Sequence, residues 1–261
     1  MLLKERKGNV GTLTLNRPEK RNSITVEMLI ELVNTLEEWA DDDTVRVVVI
    51  TGSGDRVFSG GFDVLSIPTE ITPEIAKTFK NRNPVEQALN CVKNYPYPTI
   101  AMLNGYALGA GFNLTMCCDI RIAADDVRMG IPPAKLGLVY HSEGIKQVVE
   151  ALGMARAREV FFTGRLYSAE DVAKMGLVHR MVPRSELEST TYALAEEIAE
   201  NAPLSLKGMK RIFNMFADNM VLSEDDMKEA AMIIAQSFNS EDIKEGQLAF
   251  VQKRKPVFKG R

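Results

Sequence analysis

Cysteine and histidine are scarce in this chain, with three and two respectively among 261 residues. Cys117 and Cys118 are neighbours and cannot easily pair with each other, which excludes a disulfide scaffold. There is no C-x-x-C arrangement, and two histidines leave no ligand set for zinc. No run approaches about 18 apolar residues, which excludes a membrane-spanning helix. The formal net charge is -3, so no global basic field exists to hold nucleic acid or an anionic membrane. The first residues, MLLKERKGNV, have neither a long apolar core nor a cleavage signature, so no signal peptide is expected. A reducing, cytoplasmic setting fits these absences.

What is present is an ordinary globular composition, long enough for one large domain or two modest ones. Residues 9–15 and 46–51 are short and β-branched and predict strands. Between them, Met28, Leu29, Leu32, Leu36 and Trp39 fall on one helical stripe, with Ser23 and Thr25 as cap candidates. A glycine-rich turn follows at 52–61, then a helix over 73–93 and a strand at 98–103. A second glycine cluster at 105–111 opens an apolar helix through Met116, and a strand covers 120–123. Beyond about residue 142 the pattern is helical, over 143–151, 154–162, 168–175, 185–201, 203–217, 223–238 and 240–252. One strand, Leu177–Val182, interrupts it. This order predicts an α/β fold with a partly parallel sheet followed by a helical region. The helix at 223–238 carries Met227, Ala230, Ala231, Ile234 and Phe238 on one face, for its own core or for a partner subunit.

Each glycine cluster follows a strand and leads into a helix or turn. The first N–H groups of a helix have no intrahelical acceptor and carry partial positive charge. Two such groups converging on one point make an oxyanion hole. Phe58-Ser59-Gly60-Gly61-Phe62-Asp63 and Gly109-Ala110-Gly111 are the candidates, against a plain reading as tight turns. The second cluster lacks the third glycine of a dinucleotide fingerprint, and no phosphate-loop motif occurs.

Five ordered segments resemble the crotonase superfamily, also called the enoyl-CoA hydratase/isomerase family. Residues 15–23, LNRPEKRNS, resemble its N-R-P-x-x-x-N-[AS] loop. Residues 58–63, FSGGFD, resemble F-[CS]-A-G-x-D. Residues 98–111, PTIAMLNGYALGAG, resemble P-x-I-A-x-[VI]-x-G-x-A-x-G-[GA]-G. Residues 118–123, CDIRIA, resemble C-D-x-x-x-A, and residues 249–258, AFVQKRKPVF, resemble A-F-x-E-K-R-x-P-x-F.

The resemblance implies a ββα spiral core, residues 1–200, with a helical trimerisation region, 201–261, and homotrimers or dimers of trimers. It implies an acyl-CoA substrate, coenzyme A entering as part of that substrate, and no tightly bound cofactor. By position it makes the Phe62 and Ala110 N–H groups the oxyanion hole. Lys20 and Arg21, with Gly60, Gly61, Asp63, Val64 and Leu65, would line the coenzyme A channel. Phe250 and Lys253 would approach its nucleotide end, where cations pair with phosphate.

Hydratases of this family use two glutamates, and here those positions hold Asn113 and Pro133. Asn113 cannot act as a general base, and Pro133 has no polar side chain. The loop after Gly137 offers Tyr140, His141 and Glu143 instead. Tyr140 matches a tyrosine of methylmalonyl-CoA decarboxylase relatives, although those relatives keep an acid where Asn113 stands. Histidine titrates near neutral pH and can give or take a proton. Glu143 is either a base or a helix cap, with the cap preferred, and His179 lies outside every motif. These replacements favour decarboxylation or double-bond isomerisation through an enolate. Hydration by substitute residues and a non-catalytic acyl-CoA-binding role are the alternatives.

Overall fold

A strand whose successive side chains are all apolar must be covered on both faces. Val47, Val48, Val49 and Ile50 form such a run, and all four are fully buried. They sit in the middle strand of a sheet in a computed structural model that describes residues 1–63, 83–219 and 223–259. The strands are β1 (Leu2–Lys7), β2 (Val10–Leu15), β3 (Val47–Gly52), β4 (Val57–Ser59), β5 (Thr99–Leu103), β6 (Tyr106–Leu108), β7 (Ile120–Ala124), β8 (Met129–Gly130) and β9 (Arg180–Val182). They form a six-stranded sheet, β1-β2-β3-β5-β7-β9, and a three-stranded sheet, β4-β6-β8. Only β1 and β2 are antiparallel; every other pair is parallel. From β3 onward the chain therefore lays successive strands alternately in the large sheet and the small one. Gly105, between β5 and β6, makes this alternation possible. A Cβ there would lie 2.0 Å from the Arg56 carbonyl oxygen.

The helices are α1 (Val26–Asp41), α2 (Pro84–Lys93), α3 (Ala110–Cys117), α4 (Ser142–Thr163), α5 (Ala169–Lys174), α6 (Leu187–Ala199), α7 (Pro203–Asp218), α8 (Glu224–Phe238) and α9 (Glu241–Val251). The stripe expected in α1 is buried in full. Of its two cap candidates Thr25 is used, accepting from the Met28 N–H. Val48 and Ile50 join Leu13, Leu32 and Leu36 in one core. Val47 and Val49 face the other way, toward Leu187, Ala195 and Ala199 of α6.

The two helices expected over 143–151 and 154–162 are present within Ser142–Thr163, separated at Gly153, whose φ of +75° and ψ of 159° are not helical. Several expectations are corrected. The strand expected over Leu177–Val182 begins only at Arg180. The Leu177 N–H instead closes the preceding turn on the Val172 carbonyl at 3.0 Å. Strand β1 was not foreseen because only Leu2 is buried in it, so no alternation marks it. The expected helix over 73–93 is observed as Pro84–Lys93, and residues 73–82 lie outside the described ones. No described helix is long and apolar enough to cross a membrane.

Helix α7 is tied to the sheet by a buried lysine. Lys210 Nζ lies 2.6 Å from Asp119 Oδ2 and donates to the Tyr97 carbonyl at 2.9 Å. The same carboxylate oxygen accepts from the Thr99 N–H at 2.7 Å. Removing one partner leaves buried polar groups unsatisfied. Lys210→Ala is expected to lower stability by about 1–3 kcal/mol in urea unfolding.

Candidate active site

The two glycine turns meet. Gly61 has φ +96° and Gly109 φ +54°, both in a region L side chains rarely adopt. A Cβ on Gly61 would lie 2.8 Å from the Leu108 carbonyl oxygen and 3.5 Å from the Ala110 nitrogen. Beside them, a Cβ on Gly111 would lie 2.6 Å from the Ser59 Cβ. Only the absence of side chains lets these backbones approach.

The orientation of the Phe62 N–H follows from its pairing. Phe62 forms an isolated parallel bridge to Ile24. Ile24 donates to the Gly61 carbonyl at 2.8 Å and accepts from the Asp63 N–H at 3.1 Å. In a parallel bridge the residue between those two bonds turns its own N–H to the opposite side. Ala110 is the first residue of α3, so its N–H has no intrahelical acceptor. The two amides sequence reasoning singled out thus sit on adjoining backbones at a helix N-terminus.

The loop before α1 buttresses the first turn. Asn22, held at φ +51°, donates from Nδ2 to the Ser53 and Val57 carbonyls at 2.9 and 2.7 Å. Ser59 Oγ donates to the Asn22 carbonyl at 2.9 Å. The Gly60 N–H donates to the Arg21 carbonyl at 2.8 Å, which brings Lys20 and Arg21, both exposed, to the rim of this turn. Asp63 lies 3.8 Å from Arg17 Nη1. Val64 and Leu65 lie outside the described residues. Phe250 and Lys253 are exposed at the far end of α9, a helix that packs on the Pro133–Leu136 turn and on α8. Among the described residues, this chain brings neither to the glycine turns by any hydrogen bond or ion pair.

Asn113 stands one helical turn past Ala110, on the same face of α3. It is fully buried. Its Nδ2 donates to Gln147 Oε1 at 2.8 Å, and Gln147 Nε2 donates to Asn90 Oδ1 at 2.9 Å. Reversing all three amides preserves both bonds, so position 113 can offer an acceptor or a donor. Tyr140 and His141 come from the loop before α4, with ring centroids 4.4 Å apart. Gly144 is where all three meet. A Cβ there would lie 2.4 Å from Tyr140 Cε1, 2.6 Å from His141 Cε1 and 2.7 Å from Asn113 Oδ1. Asn113 Oδ1, Tyr140 Oη and His141 Nε2 are buried without hydrogen-bond partners among the described residues. Such atoms carry a desolvation cost that a ligand can offset. Burial drives the Tyr140 hydroxyl far above its usual range, so it stays protonated and available as a donor.

The cap expected of Glu143 belongs instead to His141, whose Nδ1 accepts from the Gly144 N–H at 3.0 Å. His179 Nδ1 accepts from the Arg121 N–H at 3.1 Å, in the sheet. Pro133 is buried in a short 3-10 turn. Sequence reasoning missed three residues here: Asn90, Gln147 and Glu86, the last reaching His141 Nδ1 at 3.2 Å. No motif marks them, because they meet only where α2 and α4, each packed on α3, come within side-chain reach of one another. An apolar hollow lined by Ile24, Met28, Val85, Leu89, Ala110 and Leu114 adjoins the turns.

The sequence profile of the Enoyl-CoA hydratase/isomerase family matches residues 5–261. Carnitinyl-CoA dehydratase of Escherichia coli K12 is 34% identical over 265 residues, covering 98% of this chain and 97% of its own. The solved structure of methylmalonyl-CoA decarboxylase in complex with 2-nitronate-propionyl-CoA superposes with a TM-score of 0.89 at 26% identity, covering 100% and 98% of the two chains. An enoyl-CoA hydratase/carnithine racemase from Magnetospirillum magneticum superposes at 0.77 with 31% identity, covering 100% and 96%. The fold is the one the sequence motifs implied, and the chain belongs to the enoyl-CoA hydratase/isomerase family of acyl-CoA enzymes, the crotonase superfamily.

Proposed function

We propose that this chain decarboxylates a carboxyacyl-CoA thioester through an enolate held by the Phe62 and Ala110 N–H groups. The observation that carries this reading is the trio of buried polar atoms on Asn113, Tyr140 and His141, unpartnered among the described residues, at a site where the family resemblance implies that both hydratase carboxylates are missing. Decarboxylation needs no strong base. The bond from Cα to the carboxylate breaks, carbon dioxide leaves, and the electron pair passes into the thioester as an enolate. Donors fixed in advance bind that oxyanion better than the ground-state carbonyl. The neutral Tyr140 hydroxyl and the Asn113 amide orient the departing carboxylate. His141 Nε2 then delivers a proton to Cα. Coenzyme A enters as part of the substrate, with Lys20 and Arg21 at the rim of the first turn meeting its phosphates. The structural likeness to a decarboxylase supports this choice.

Double-bond isomerisation is the second reading, favoured by the Glu86 carboxylate beside His141, a pair suited to moving a proton between carbons. We also place the protein in a homotrimer or a dimer of trimers. Helix α8 buries none of its residues, and Phe213, Phe216 and Met232 are largely exposed. Apolar exposure on this scale marks an interaction surface.

Incubation with methylmalonyl-CoA, a 3-enoyl-CoA and crotonyl-CoA, followed by mass spectrometry, is expected to show loss of carbon dioxide from the first. Crotonyl-CoA hydration that survives His141→Ala would overturn the proposal. Turnover of nothing, with tight coenzyme A binding, would identify a non-catalytic homologue. Ala110→Pro removes one oxyanion donor at a helix position that tolerates proline. It is expected to keep the fold by circular dichroism and to lower kcat by about 10²–10³-fold. Light scattering after size exclusion is expected to give three or six copies, and Phe213→Asp fewer.

A further inference from the structure

Two groups compete for one nitrogen of His141. The Gly144 N–H points at Nδ1 from 3.0 Å, and the Glu86 carboxylate approaches the same atom at 3.2 Å. A ring nitrogen accepts or donates but never does both at once. With Nδ1 bare, the ring caps α4 and carries its proton on Nε2. With Nδ1 protonated, the ring donates to Glu86 and releases the Gly144 N–H. Taking the enolate reading of the site as its basis, we infer that Glu86 is the positioning residue of His141, holding the Nδ1–H form so that Nε2 exchanges protons with the substrate α-carbon.

Position and exposure support the assignment. Glu86 is fixed relative to His141, because Asn90, one turn further along α2, accepts from Gln147 of α4 at 2.9 Å. The Glu86 side chain is 31% exposed and His141 only 14%, so the carboxylate links a buried imidazole to solvent. His141 also sits at the N-terminus of α4, where the helix dipole disfavours a cation. A carboxylate beside Nδ1 opposes that penalty. Glu143 and Lys146 lie on the same helix, and Lys146 is engaged by Glu150 at 3.1 Å. Among the described residues Glu86 is the carboxylate that pairs with the ring.

The proton step balances without a further reagent. In exchange, neutral His141 takes the α-proton on Nε2, the C–H pair becomes the enolate, and the imidazolium rests against Glu86. The reverse step returns a proton to Cα. In decarboxylation the imidazolium supplies that proton and Nε2 is recharged from water after product leaves.

The test is α-hydrogen exchange of propionyl-CoA in deuterated water, followed by mass spectrometry on the full-length protein. Wild type is expected to incorporate deuterium, and His141→Ala to lose that ability. Glu86→Gln is expected to lower kcat for exchange by about ten-fold or more, with KM within about two-fold. Glu86→Asp is expected to recover part of the loss. Glu86→Gln exchanging at the wild-type rate, with His141→Ala inactive, would overturn the role of Glu86 and leave the enolate reading intact. Wild type that binds propionyl-CoA without exchanging it would overturn both. Thermal unfolding of each variant separates these results from loss of fold.

Discussion

The close approach of two backbone turns governs the rest of this structure. Gly61 and Gly109 pass so near each other that a single methyl on the first would collide with the Leu108 carbonyl. Both take positive φ values, which any larger residue would adopt only under strain. That contact needs a scaffold able to bring chain from β4 and β6 together. The scaffold is the double sheet, to which the chain from β3 onward contributes strands alternately. Asn22 and Ser59 hold the first turn from behind, and the start of α3 holds the second. The positions of Phe62, Ala110 and Asn113 follow from this arrangement rather than from contacts of their own side chains.

Burial then sets the chemistry. Asn113, Tyr140 and His141 carry polar atoms out of water that find no partner among the described residues. Such a site costs stability, and folded proteins keep few of them unless a ligand completes the hydrogen bonds. A carboxylate in the same place would remain a base, whereas an amide and a neutral phenol can orient a ligand by hydrogen bonds but cannot take its proton. The family scaffold is thus retained while the groups that handle water in its hydratases are not. Lys210 and Asp119 show the contrasting case, a buried ammonium met within the fold by a partly exposed carboxylate and a backbone carbonyl.

The legible parts of the chain were those with a local physical signature. The apolar stripe of α1 is legible because a helix must bury one face. Strands β2, β3, β5 and β7 are legible because β-branched runs suit a covered parallel sheet. The glycine turns are legible because few other residues tolerate such backbone. Strand β1 is a different case: it is exposed at the edge, held by hydrogen bonds to β2 and not by burial. Strands β4, β6 and β8 hold two or three residues each and carry no readable period.

The sequence by itself determined the family and the placing of the two glycine turns, and through the family resemblance it implied that Asn113 and Pro133 stand where hydratases carry glutamates. Each of these is a matter of residue type at a fixed separation along the chain. Tertiary structure alone decided what surrounds His141. Glu86 lies 55 positions before it and Gln147 beyond it, and neither belongs to a motif. They meet because α2 and α4 both pack on α3, and side-chain contact between helices depends on the angle and register of that packing, which no local pattern encodes.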